Sequence, residues 1–105
     1  MIHFSISDAD ASLAKVPTEF VLLFQHGSLK MEWYKPEKTD EQTPHRQDEV
    51  YVIVCGSGIF YHNGERSPFN TGDILFVPAG NEHRFENFTD DFATWVIFYG
   101  PDGGE

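Results

Sequence analysis

Cysteine is nearly missing from this chain: Cys55 stands alone. A lone thiol closes no internal disulfide and supplies neither a thiolate zinc site nor an iron-sulfur cluster, so a reducing compartment is its natural setting. Positive charge is also scarce, with 7 Lys and Arg against 17 Asp and Glu and a formal charge of -10. That balance argues against nucleic acid, whose phosphates need a basic surface, and against anionic membranes. Long apolar runs are absent too. The N-terminal stretch MIHFSISDADAS has no basic region and no extended apolar segment, so neither a signal peptide nor a transmembrane helix is visible and a cytoplasmic location is expected. No segment repeats and none is low in complexity.

What is present is enough apolar matter for a core. Apolar residues make up 40% of the 105, aromatics 15%, with 10 Phe, which excludes a disordered chain despite the charge. The length suits one domain, residues 1–105 with a core over about 19–99. Short β-favouring runs alternate with turn residues at close spacing, the pattern of an all-β barrel or sandwich. Strands are expected over residues 19–25, 29–34, 50–55, 59–62, 65–69, 74–77, 82–86 and 92–99. Asn63-Gly64 marks a tight hairpin, because both positions tolerate positive φ. The one helical candidate covers residues 8–15, ahead of Pro17. Residues 35–43 contain five charged side chains and no apolar one, so they read as a solvated loop. The Gly-rich tail, 100–105, reads as frayed.

Two segments carry candidate chemistry. The first, HRQDEVYVIVCGSG from His45 to Gly58, sets a histidine four residues before Glu49. Side chains alternate across a strand, so Thr43, His45, Gln47, Glu49, Tyr51 and Ile53 share a face if the stretch is extended. On a straight strand His45 and Glu49 would lie about 13 Å apart. A bulge or bend near Pro44 and Arg46-Gln47-Asp48 is needed to bring them to one ion. The second segment, GDILFVPAGNEHRFEN from Gly72 to Asn87, delivers His83, with Phe85 on the same face. Two imidazoles and one carboxylate form a ligand set that suits ferrous iron and accepts other divalent first-row metals.

These segments resemble the paired signatures of the cupin superfamily. The second signature is met at Gly72, Pro78, Gly80, His83 and Asn87. The first is met at His45, Glu49 and Gly56, but Thr43 stands where its first histidine belongs and Glu37 where its opening glycine belongs. The resemblance implies a double-stranded β-helix, related to the jelly roll, with His45, Glu49 and His83 as a three-ligand version of the usual four-ligand site for Fe, Mn, Ni or Zn. Water or Gln47 would take the place left by Thr43. Trp33, Tyr51, Phe85 and Trp95, with Thr43 and Gln47, are candidates for a pocket holding a small-molecule ligand. Residues 92–99 are apolar on both faces, so one face is expected to meet a second subunit, and the resemblance also implies a homodimer. Arg46, Arg66 and Arg84 are expected to face solvent, His26 to sit in a turn, Cys55 to fill space, and Asp73 to cap turn amides. Two functions follow: a metal-dependent protein acting on a small organic molecule, as oxygenase or isomerase with proton transfer through Tyr51 or metal-bound water, or a non-catalytic binding module whose metal is structural or absent.

Overall fold

The structure, a computed structural model, describes residues 2–105; Met1 lies outside the described residues. Among the described residues eight strands form two sheets: β1 (Phe20–His26), β2 (Leu29–Tyr34), β3 (Asp48–Cys55), β4 (Gly58–His62), β5 (Glu65–Phe69), β6 (Ile74–Val77), β7 (His83–Glu86) and β8 (Ala93–Tyr99). One sheet has the order β1-β2-β8-β3-β6 and the other β5-β4-β7. Every pairing is antiparallel. This is the jelly-roll arrangement, in which the inner faces of two sheets share one core.

Alternation decides what each strand gives that core. On β3, Glu49, Tyr51 and Ile53 are buried while Val50, Val52 and Val54 lie on the opposite face and are half-buried. Phe85 sits at the centre, with ring centroids 5.1 Å from Phe60, 5.2 Å from Phe69 and 4.7 Å from Phe92. Between β4 and β5 the chain turns at Asn63 and Gly64 with φ of 46° and 89°, the positive pair a tight hairpin needs.

The helix α1 (Ile6–Leu13) starts earlier than residue 8 and ends before residue 15. Ser5 explains the start: its hydroxyl accepts from the Asp8 amide at 3.0 Å, and the Asp8 carboxylate accepts from the Ser5 amide at 3.1 Å, a reciprocal cap. Its buried Ala9 packs with Trp33 and Ala93 on the outer face of the larger sheet. Among the described residues no helix is long and apolar enough to cross a membrane.

Two expectations fail. Residues 35–43 are not simply solvated, because Asp40 is buried and its carboxylate accepts from Tyr34 Oη, the Phe85 amide and both the backbone and side-chain N–H groups of Gln42. A charged residue in an apolar-free segment reads as surface, yet four donors satisfy this one inside. The tail is not frayed either. Gly103 N donates to Arg46 O at 2.7 Å and Glu105 N to Asp48 Oδ2 at 3.0 Å, bonds that depend on backbone and are invisible in composition.

Candidate metal centre

His45, Glu49 and His83 converge, each offering one donor atom within 4.8 Å of the others. His45 precedes β3, in a bent segment, and the bend is held from two sides. Gly80 N donates to His45 O at 2.7 Å, and Ala79 N to Asp48 Oδ1 at 2.8 Å. Gly80 has φ +80°, a conformation most side chains avoid, and this lets the turn after Pro78 present both amides to the bend. The tail secures Arg46 and Asp48 from the other side. Two backbone positions that would lie about 13 Å apart on a straight strand thus bring His45 Nε2 to 3.9 Å from Glu49 Oε1.

Glu49 is fully buried. His83 Nε2 lies 2.8 Å from its Oε1, but among the described residues neither carboxylate oxygen receives a well-directed hydrogen bond. The His83 tautomer sharpens this. Nδ1 lies 2.9 Å from the Asn81 carbonyl oxygen, which can only accept, so Nδ1 carries a hydrogen. A neutral ring would then aim the Nε2 lone pair at a buried carboxylate. A positive centre, proton or metal ion, is what the pair requires.

The electrostatics around the two rings agree with that reading. Burial pulls the His83 pKa down, but a proton placed on Nε2 would bridge the 2.8 Å to Glu49 Oε1, and that bridge with the Glu49 charge and the Asn81 carbonyl outweighs burial and leaves a net rise. Burial holds His45 below the ordinary histidine value, against the pull of Glu49 and with help from His83. His45 therefore offers a free lone pair at neutral pH, while a proton and a cation compete for His83 Nε2. The chain's residues fit a divalent ion: two imidazoles, one carboxylate without directed partners, and a backbone carbonyl that orients one ring.

A cavity of about 780 Å³ opens beside the cluster between β1, β2, β8 and residues 41–47. Thr43, His45 and Gln47 line it, with Tyr34, Val96 and Phe98 as its apolar wall. Glu49, Tyr51 and His83 are buried and not on its wall, so a molecule entering meets His45 and Gln42 first. Gln47 does not approach the cluster, since its Nε2 donates to Ser28 O at 2.7 Å and Gly100 O at 2.9 Å. It ties the β1-β2 turn to the tail instead. Thr43 is exposed.

Trp33 and Trp95 do not line this cavity. They pack together on the outer face, centroids 4.6 Å apart, and Trp33 Nε1 donates to Asp10 Oδ1 at 2.9 Å. Their neighbours Tyr34 and Val96 take the inner face by alternation. Phe85 points inward with His83 but lies in the closed aromatic core, at 1% exposure. Tyr51 reaches the cluster, its hydroxyl 3.0 Å from His83 Nε2 and donating to Gln42 Oε1 at 2.8 Å. Arg84 stays on the outer face of the smaller sheet, over the Tyr61 ring. Asp73 caps the Asn70 amide at 2.8 Å, and Cys55 Sγ donates to Asp91 O.

Sequence reasoning missed three residues. Gln42 and Asp40 sit in a stretch without periodicity, so nothing marked them. Glu32 was legible: it is two residues before Tyr34 on β2 and so shares its face. Burial, followed by the Glu49 charge, raises its pKa against the pull of Lys30, and it lines the cavity.

Residues 31–99 match the family model described as a cupin domain, and the chain belongs to that family. It is 38% identical to an uncharacterized protein of Streptomyces coelicolor over 97% of this chain and 99% of that one. It is 32% identical to an acireductone dioxygenase of Geobacillus thermodenitrificans over 64% of this chain and 41% of the enzyme. A Rhizobium leguminosarum structure of unknown function superposes with a TM-score of 0.79 at 18% identity, covering 96% of this chain and 98% of that one.

Proposed function

We propose that this chain is a metal-binding cupin acting on a small organic molecule, with His45, Glu49 and His83 holding a divalent Fe, Mn, Ni or Zn ion. The carrying observation is the buried Glu49 carboxylate, set against the His83 lone-pair position with no directed hydrogen bond. A bound ion supplies a Lewis acid and, with iron or manganese, redox capacity. The chain's residues do the rest. Tyr34, Val96 and Phe98 give one side of the cavity an apolar wall. Burial, then the charges of Glu49 and Asp40, push the Tyr51 pKa up, and its hydroxyl lies 2.8 Å from Gln42 Oε1 and 3.0 Å from His83 Nε2, where it orients both. Glu32, on the cavity wall with a raised pKa, is the group suited to exchange a proton with a bound molecule. The likeness to acireductone dioxygenase supports an oxygenase over an isomerase. The likeness to an oxalate-binding protein of Thermotoga maritima, 41% identical over 37% of this chain and 32% of that one, favours a second reading, a capture module without turnover.

Elemental analysis of protein purified without chelator tests the metal reading. About one ion per chain is expected, lost in His83→Ala; a metal-free wild type would contradict it. Oxygen uptake with a panel of enediols and small carboxylates then separates turnover from capture. We also propose that two copies pair through the outer face of the larger sheet, where Ile74 is 68% and Phe76 49% exposed. Sedimentation mass reads this out, and a monomer at micromolar concentration would rule it out.

A further inference from the structure

We propose that the side-chain carbonyl of Gln42 is a fourth protein ligand of the ion, an inference that rests on the metal reading above. Thr43, where the cupin pattern has its first histidine, is exposed, whereas Gln42 turns inward. The orientation of its amide is fixed. Nε2 donates to Asp40 Oδ2 at 2.6 Å, and a carboxylate accepts only from the nitrogen end, so Oε1 is the atom that faces the cluster. Asp40 cannot yield easily, being held by Tyr34 Oη at 2.6 Å and the Phe85 amide at 2.8 Å.

Oε1 lies 3.2 Å from His45 Nε2 and 2.8 Å from Tyr51 Oη, which is itself 3.0 Å from His83 Nε2. Donors at right angles on one ion, each about 2.1 Å from it, are separated by about 3 Å. The separation between Gln42 and His45 matches that spacing, and the one between His83 and Glu49, 2.8 Å, does as well. Both Gln42 and His45 line the cavity. A neutral amide oxygen adds a hard donor without adding charge. Replacing an imidazole by a carbonyl moves the preference toward manganese and ferrous iron and away from zinc and copper.

The test is a titration of the full chain with Co(II), followed by calorimetry and by the visible d–d bands. Wild type is expected to bind one ion. Gln42→Leu should weaken binding about tenfold or more and alter the band pattern; Gln42→His should bind as tightly as wild type with bands shifted toward nitrogen ligation; Thr43→Val should change neither. If Gln42→Leu fails to fold, Gln42→His carries the test alone: bands shifted toward nitrogen ligation support the ligand role, and a spectrum identical to wild type removes Gln42. Unchanged affinity and spectrum in Gln42→Leu, with binding lost in His83→Ala, would remove Gln42 and leave the three-ligand site standing. No binding of Co(II) by wild type would overturn both.

Discussion

Glu49 and Tyr51 arrive at the site on a strand paired on both sides, and His83 on a strand paired with β4, whereas Asp40, Gln42 and His45 arrive on residues 35–47, which join no ladder. The strand-borne members are 0–2% exposed, while the His45 side chain is 33% exposed. Strands fix a side chain by alternation, so one half of the site is set by the same forces that build the core. The strap has no such rule. It is placed by a buried carboxylate, a turn glycine and a docked tail, each a specific contact that one substitution removes. Structure is thus built into one half, and on the metal reading proposed above adjustment of the ion and its access would be left to the other.

Breaking the strand-borne half should have the largest effect on the metal. Glu49→Gln or His83→Ala should lower Co(II) or Mn(II) affinity by more than about 100-fold, beyond the usual cost of losing a residue that only orients a ligand. Calorimetry reads this directly, and a loss below tenfold would place the ion elsewhere. Breaking the strap should cost stability. Asp40→Ala leaves the Phe85 amide and the Tyr34 hydroxyl without their partner and should destabilise by about 3 kcal/mol in urea unfolding. A change within about 0.5 kcal/mol would mean that the strap is not anchored there.

Smaller still is Gly80→Ala. A Cβ there meets nothing within 4 Å, so only the positive φ is strained, at about 1–2 kcal/mol. Because Gly80 N holds the His45 carbonyl, metal affinity should fall with it, and the His83 ring resonances should stay as in wild type. The tail clamp gives the finest test. The Glu105 and Ala79 amides hold the Asp48 carboxyl below its ordinary pKa. A depressed folded-state pKa stabilises above the unfolded value of about 3.9 and loses that contribution as pH falls through the folded value. Asp48→Asn should therefore be less stable than wild type at pH 7, with the gap closing in acid below pH 4. A gap independent of pH would exclude the carboxylate charge as its cause.

The same contrast explains what could be read from residues alone. Alternation placed Glu49 and Tyr51 on one face, and His83 with Phe85, because a strand leaves only two choices. The convergence of His45, Glu49 and His83 was legible through the two segments that resemble the family's signatures, although their spacing on a straight strand forbade it. The missing information was the bend, which comes from amides of Ala79, Gly80 and Gly103 reaching across the fold. Trp33 and Trp95 were assigned to the wrong face for a related reason: β8 is apolar on both sides, so parity does not say which group is inside, and on β2 the wholly apolar parity, Leu29, Met31 and Trp33, faces outward while Lys30, Glu32 and Tyr34 face the cavity. Gln42 and Asp40 were unreadable because charge and polarity in a non-periodic stretch signal solvent by default.

Anomalous diffraction from crystals of the full chain grown with one equivalent of Mn(II) puts the central idea to its most direct trial. A single peak bonded to His45 Nε2, Glu49 and His83 Nε2 is expected. A peak bound to other residues, or well-ordered density for those three side chains with no anomalous signal between them, would contradict it.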